Sequence, residues 1–100
     1  MPYSVRYTRA AAAEVQIAVS SYARPEVNQA AAFVGDLERT ESRLRTQPVL
    51  YQRIEGEIRR AVLRRFPYAL FYVVESERVV VLALMHQHQK PKTREDLLKR

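Results

Sequence analysis

The chain of 100 residues contains no cysteine and only two glycines. Without cysteine it has no disulfide framework, no thiolate metal site and no cysteine nucleophile. Phosphate-binding loops and dinucleotide-binding fingerprints need several glycines at fixed spacing, so both are excluded. No apolar run is long enough to span a bilayer, and the N-terminus carries no signal-peptide pattern. We therefore expect a cytoplasmic protein without membrane association.

The chain is rich in apolar residues, and its charged residues are mostly basic. Apolar residues make up 47% of the chain, which suits one globular core, and residues 1–100 are predicted to form a single domain. Residues 1–50 carry six basic and five acidic side chains, whereas residues 51–100 carry eleven and six. The two halves thus contribute +1 and +5 to the formal net charge of +6. This asymmetry favours an anionic partner, nucleic acid or acidic polypeptide, although charge alone also allows a basic domain without one.

The first half of the sequence predicts one strand and two helices. Residues 3–7 alternate apolar and polar side chains, as a strand with one wet face does. Thr8 is a candidate N-cap for an alanine-rich helix over residues 9–23. Pro25 favours the first position of a second helix, which is predicted to run to residue 46.

The second helix is predicted to be amphipathic. Its apolar stripe is expected to pack on a sheet and consists of Val27, Ala30, Val34, Leu37 and Leu44. Its opposite, solvated face is expected to carry charged side chains, namely Asp36, Glu38, Arg39 and Arg43. The two helices form an αα-hairpin that needs a partner surface.

The second half of the sequence predicts a three-strand antiparallel meander. Runs rich in β-branched, aromatic and aliphatic residues cover 58–65, 68–74 and 79–86. The middle run is apolar at odd and even positions alike, so both faces of that strand should be covered and Phe71 at its centre should be buried. Residues 49–57 are predicted to be a loop, and Thr93 is a candidate cap for a short helix over 94–99. The predicted fold class is α+β, with the αα-hairpin packed on an antiparallel sheet.

The first strand of the meander carries an unusual number of positive charges. Four of its side chains are guanidinium groups, those of Arg59, Arg60, Arg64 and Arg65. They are candidates for binding an anionic partner. The alternative is a solvated rim, because basic residues on an edge strand discourage strand-to-strand aggregation.

His86 ends the last predicted strand, and Gln87 and His88 follow it. A histidine in this place is either a functional group or a hydrogen-bonded structural residue, and His88 is expected to be exposed. Two histidines two residues apart can share a metal ion, but the sequence offers no further ligand beside them. We therefore expect no metal and no cofactor.

The order of these elements, taken with particular residues, resembles a known family. Arg59-Arg60 leads into Phe66-Pro67-Tyr68-Ala69-Leu70-Phe71-Tyr72, and the chain continues with Val81-Leu82-Ala83-Leu84-Met85-His86. This pattern resembles the RelE/ParE superfamily of bacterial toxins over nearly the whole length. The resemblance implies the toxin of a type II toxin-antitoxin system, held in a hetero-oligomer by an antitoxin whose C-terminal segment wraps the toxin.

Two branches of that superfamily act differently. The ribosome-dependent nucleases usually have an arginine where this chain has Ala69, and a C-terminal tyrosine, whereas no tyrosine follows Tyr72 here. The ParE branch is similar at Arg59-Arg60 and at His86-Gln87, although it often has a methionine where this chain has Gln89. The resemblance therefore implies binding and poisoning of DNA gyrase, with no chemistry by the toxin and no catalytic residue.

The antitoxin- or target-binding residues that this resemblance implies are Arg59, Arg60, Arg64, Arg65, His86, Gln87 and His88. The alternative activity is that of an mRNA endonuclease acting in the ribosome through the arginines and His86 or His88. A remote alternative is a basic RNA-binding domain without toxicity.

Overall fold

A five-stranded sheet lies at the centre of the computed structural model, which describes residues 2–90 and 92–100. In chain order the elements are β1 (Ser4–Tyr7), α1 (Arg9–Tyr22), α2 (Ala30–Thr46), a 3-10 turn (Pro48–Leu50), β2 (Arg53–Glu55), β3 (Ile58–Val62), β4 (Tyr68–Glu75), β5 (Arg78–His86) and α3 (Arg94–Leu98). The strand order across the sheet is β1-β5-β4-β3-β2. β1 runs parallel to β5, and the other neighbours are antiparallel. The predicted α+β class, αα-hairpin and β3-β4-β5 meander are confirmed.

Helix α1 begins where its capping residue predicts. The Thr8 hydroxyl accepts a hydrogen bond from the Ala11 backbone N–H at 3.1 Å, which satisfies one of the free donors of the first turn. Ala11 and Ala18, two turns apart, are buried. Their small side chains let the helix lie close to β5.

Helix α2 begins at Ala30, five residues after the predicted start at Pro25. The Asn28 side chain accepts a hydrogen bond from the Ala30 N–H at 3.0 Å, and the Gln29 N–H donates to the Tyr22 carbonyl at 2.9 Å. These contacts and an isolated β-bridge between Ala23 and Asn28 fold residues 23–29 into a turn. The turn delays the helix because an asparagine side chain that bonds the backbone two residues ahead stabilises a turn instead of a helix. Val27, predicted to lie on the apolar stripe, is therefore 62% exposed.

Asp36 was predicted to lie on the solvated face of α2, and that prediction is wrong. Its side chain is fully buried, on the same face as Phe33, Leu37 and Leu44. Its carboxylate is satisfied there because it accepts backbone hydrogen bonds from residues 64–66 of the loop between β3 and β4. A buried charge of this kind is stable when hydrogen bonds replace its hydration.

Residues 49–57 are not the plain loop that was predicted. They contain the last two residues of the 3-10 turn and the edge strand β2, which pairs with Ile58 and Arg59. Gly56 turns the chain between β2 and β3 with φ of +57°, a conformation that favours glycine. β3 ends at Val62, so the predicted strand over 58–65 is too long and its last residues belong to a loop.

The sheet has two differently covered faces. The first face packs against α1 and α2 around a core that includes Phe33, Leu44, Leu70, Tyr72 and Val81. The second face carries a smaller cluster, consisting of Ile58, Val73, Val80, Leu82, Ala83 and Met85, under Leu97 of α3.

Helix α3 has five residues and covers only part of the second face. Phe71 packs at the margin of that cluster and is only partly buried. The expectation that both faces of β4 are fully covered is therefore wrong at this end of the strand. In the described residues, no helix is long and apolar enough to cross a membrane.

Candidate functional site: an open groove on the sheet

The uncovered part of the second sheet face forms a groove of about 250 Å³. Its lining comes from the ends of β3, β4 and β5 and from the turn after β5, and it consists of Arg60, Val62, Pro67, Tyr68, Ala69, Phe71, Met85, His86, Gln87 and Gln89. We call this site the sheet groove. It is present because α3 stops short of this end of the sheet.

Strand alternation makes the floor of the sheet groove apolar. On β3 the side chains of Ile58, Arg60 and Val62 share one face, because side chains two residues apart point to the same side of a strand. Ile58 lies under α3 and is buried, whereas Val62 is 58% exposed. Phe71 on β4 is the register partner of Arg60. An exposed valine beside a half-buried phenylalanine leaves apolar surface in contact with solvent.

The same alternation separates Arg59 from Arg60. Arg60 faces the sheet groove and is exposed. Arg59 faces the helical side, where its Nη1 donates to the carbonyls of Tyr51 at 2.6 Å and Val49 at 3.1 Å. Arg59 thus ties the 3-10 turn to β3.

Arg64 and Arg65 lie in the loop after β3, not in the strand. Their backbone N–H groups donate to the Asp36 carboxylate at 3.3 and 2.8 Å, while their side chains are exposed. The Arg65 guanidinium carbon lies 5.9 Å from the centroid of the Phe66 ring, within range of a cation–π contact. The four arginines that the sequence places close together therefore occupy three different surroundings.

His86 ends β5 at the rim of the sheet groove and is held by its neighbours. Its Nδ1 accepts a hydrogen bond from the His88 N–H at 3.1 Å, so a neutral ring carries its proton on Nε2. The ring contacts Tyr68 edge-on, with centroids 5.0 Å apart, and lies 5.2 Å from the exposed His88 ring. The Gln89 side chain accepts from the His86 N–H at 2.6 Å. His86 is thus a fixed, hydrogen-bonded residue, and Nε2 is the ring nitrogen that can contact a partner.

Of the predicted residues, the structure brings Arg60, His86 and Gln87 together in the sheet groove. Gln87 is positioned through its backbone N–H, which donates to the Pro67 carbonyl at 2.8 Å. The other four predicted residues, Arg59, Arg64, Arg65 and His88, do not line it. In residues 2–90 and 92–100, no group of three or more His, Asp or Glu side chains is arranged to hold a metal ion.

The apolar floor of the sheet groove could not be predicted from the sequence. Val62 and Phe71 look like ordinary strand residues, and only the shortness of α3 shows which part of the face stays open. The spacing of Ile58, Arg60 and Val62 was the available signal, because residues two apart share a strand face.

The fold and site define a small basic α+β domain that presents an apolar groove with a charged rim. The family described as the ParE toxin of the type II toxin-antitoxin system, parDE, matches residues 5–91. The chain belongs to this family of toxins. A comparison with curated proteins finds no match.

The solved structures that are similar to this chain include two from toxin-antitoxin systems. A chain of the chromosomal ParDE toxin-antitoxin system from P. aeruginosa is 19% identical, with a TM-score of 0.71 over 84% of this chain and 95% of that one. At this identity the likeness shows the fold alone. A chain of the toxin-antitoxin complex RelBE2 from Mycobacterium tuberculosis is 26% identical, with a TM-score of 0.57 over 86% of this chain and 99% of that one.

Proposed function

We propose that this toxin inhibits bacterial growth in the cytoplasm by binding and poisoning DNA gyrase, without breaking a covalent bond itself. The observation that carries the proposal is the character of the sheet groove, whose floor is apolar and whose rim carries Arg60 and His86. Such a surface suits protein binding. Membership of the ParE toxin family supports the same target class.

Cleavage of RNA makes other demands on a site. A nuclease stabilises charge that develops on the scissile phosphate, commonly with several cations, and transfers protons at two oxygens. Arg60 is the one guanidinium lining the sheet groove in the described part of the chain. Arg59 is held on the opposite face, and Nδ1 of His86 is already an acceptor. The site therefore supports binding better than catalysis.

A ribosome-dependent mRNA endonuclease is the second candidate, and one observation favours it. Arg60 and His86 line the same groove, so one cation and one imidazole face the same space. Nε2 of His86, which carries the proton of the neutral ring, is the nitrogen that can donate a hydrogen bond to a reacting oxygen. This candidate needs further cations from the ribosome.

The partner that neutralises the toxin is proposed to be an acidic antitoxin segment in a hetero-oligomer. The two similar structures described above come from toxin-antitoxin systems. The formal net charge of +6 suits an acidic partner, and the exposed Arg64 and Arg65 are available on the loop that joins β3 to β4. Since Arg59 is held inward, we expect Arg64 and Arg65 to contribute more than Arg59 to association.

The test is to induce the chain in cells and follow protein synthesis and DNA breaks separately over the first minutes. We expect DNA breaks and filamentous cells while translation continues at first. In parallel, purified chain should increase DNA cleavage by purified gyrase. Early loss of translation with codon-positioned mRNA cuts, abolished by His86→Ala but not by His88→Ala, would instead establish the endonuclease.

A further inference from the structure

We infer that the sheet groove binds one large apolar side chain of gyrase that lies beside a carboxylate. This inference rests on the proposed function, because it names the surface of the toxin that contacts the target.

The sheet groove exposes apolar surface to solvent. Val62 is 58% exposed, and Phe71 is only partly covered, although both belong to the sheet and not to a loop. Covering such a surface with another apolar group is favourable by about 25 cal/mol per Å². A binding partner that places an apolar side chain between Val62, Phe71 and Met85 therefore gains affinity from this region.

The size of the groove limits the occupant. A volume of about 250 Å³ is below the roughly 300 to 1,000 Å³ typical of small-molecule and cofactor sites. It is open to solvent along the strand ends, so a side chain that projects from a protein surface has access. Interfaces commonly gain most of their affinity from one or a few such buried anchors.

The positive charge of Arg60 determines which group of the partner lies beside its apolar side chain. Arg60 is exposed, and no acidic side chain forms an ion pair with it among the pairs found in residues 2–90 and 92–100. A guanidinium binds a carboxylate through two parallel hydrogen bonds. The groove is thus complementary to an apolar residue with an aspartate or glutamate beside it.

Nucleic acid fits this groove less well. A phosphate backbone would pair with Arg60 but would leave Val62 and Phe71 exposed. Binding to a nucleic acid backbone relies on several cations acting together. Here Arg59 is tied to Tyr51 on the other face, and Arg64 follows β3 in the loop anchored by Asp36.

A single substitution distinguishes a protein side chain from nucleic acid as the group bound in the sheet groove. Val62→Lys removes apolar surface and adds a positive charge, so it weakens binding of an apolar side chain and strengthens binding of a phosphate. Leu50→Lys is the matched control, because Leu50 is an exposed aliphatic residue, 71% exposed, on the 3-10 turn outside the groove. Dissociation constants with purified gyrase, in the absence and presence of DNA, are measured for both variants at one salt concentration.

We expect Val62→Lys to weaken binding about tenfold or more, which corresponds to about 1.4 kcal/mol, and Leu50→Lys to change it less than about twofold. Arg60→Glu should also weaken gyrase binding. Arg60→Lys should weaken it less, because lysine keeps the positive charge. Unfolding midpoints verify that each variant is folded. If Val62→Lys does not fold, Val62→Thr keeps the side-chain shape and should show a smaller loss in the same direction.

Three results would overturn the inference, and they differ from one another. Unchanged gyrase binding by Val62→Lys would place the contact outside the groove. Tighter binding by Val62→Lys only when DNA is present would identify nucleic acid as the occupant. Absence of gyrase binding by the unaltered chain would remove the proposed target, and the groove inference with it.

Discussion

The Asp36 carboxylate on α2 accepts a hydrogen bond from the backbone N–H of Phe66 at 2.9 Å, across 30 residues of sequence. The same carboxylate accepts from the N–H groups of Arg65 and Arg64. Its side chain is fully buried, and Arg39 lies 3.7 Å away, half exposed. One acidic side chain therefore fixes the loop between β3 and β4 to the helical hairpin.

Removing this carboxylate should destabilise the fold strongly. Asp36→Ala leaves three backbone donors without their acceptor, and we expect a loss of about 3 to 5 kcal/mol in the free energy of unfolding. Asp36→Asn keeps one acceptor oxygen and should cost less. Arg39→Ala is the control and should cost less than about 1 kcal/mol, because the Arg39 side chain is largely solvated. Similar denaturation midpoints for Asp36→Ala and Arg39→Ala would contradict this role.

Local signals in the sequence predicted most of the elements. Thr8 and Thr93 cap the helices that they were expected to cap, and the strand runs around Tyr72 and Val81 fold as strands. In each case the signal lies within a few residues of the element that it sets. The role of Asp36 has no such signal, because its partners lie about 30 residues away in sequence and a charged residue ordinarily faces solvent.

The candidate site was predicted only in part. Arg60, His86 and Gln87 line the groove, whereas Arg59 points away because successive strand side chains alternate between faces. β2 escaped prediction because its three residues, all exposed, include two of opposite charge and resemble a loop. The extent of α3 over the second face depends on tertiary packing, which the sequence pattern does not contain.

Neighbouring residues of β4 should differ in their contribution to stability. Leu70 is fully buried under the helical hairpin, whereas Phe71 lines the sheet groove and is only partly buried. We expect Leu70→Ala to cost about 3 to 5 kcal/mol and Phe71→Ala about 1 to 2 kcal/mol. Chemical denaturation of the two variants measures both values. A cost for Phe71→Ala equal to that for Leu70→Ala would mean that the second face is covered after all.

The buried Tyr72 hydroxyl should make stability fall at high pH. It donates to the Pro48 carbonyl at 2.5 Å, and burial raises its pKa well above the ordinary value of 10, against a smaller opposing effect of Arg59. The protonated form is thus favoured in the folded state. The resulting stability is fully present below pH 10 and is lost as the pH rises above it, because the unfolded chain ionises first.

Each tyrosine of this kind should lower the unfolding free energy by about 1.4 kcal/mol per pH unit above about pH 10. Tyr7, whose pKa is also raised by burial and by its hydrogen bond to Glu41, contributes a second such effect. We expect Tyr72→Phe to be less stable at pH 8, where the hydrogen bond to Pro48 is lost, and to show a shallower decline between pH 10 and 11. An unchanged slope in Tyr72→Phe would show that its hydroxyl ionises equally in both states.

The edge of β5 beyond its pairing with β1 is closed by side chains. β1 pairs with β5 as far as Val81, and past that point the Leu84 N–H donates to Glu14 Oε1 at 3.0 Å. The Arg100 guanidinium forms two hydrogen bonds of 2.8 Å with the same carboxylate and one of 3.0 Å with the Leu82 carbonyl. Glu14 therefore joins α1, the sheet edge and the end of the chain.

Loss of the Glu14 contact should accelerate hydrogen exchange at one backbone amide, that of Leu84. Glu14→Ala removes the acceptor of the Leu84 N–H, so we expect hydrogen exchange of that amide to accelerate about tenfold or more, as the loss of a charge-assisted hydrogen bond implies. Lys92→Ala is the control and should change little, because its Nζ lies 4.0 Å from the carboxylate and is partly solvated. The Tyr72 amide on β4 reports global unfolding, and the Leu84 rate is read against it. Acceleration of both amides by the same factor would mean that Glu14 stabilises the whole fold and not this edge.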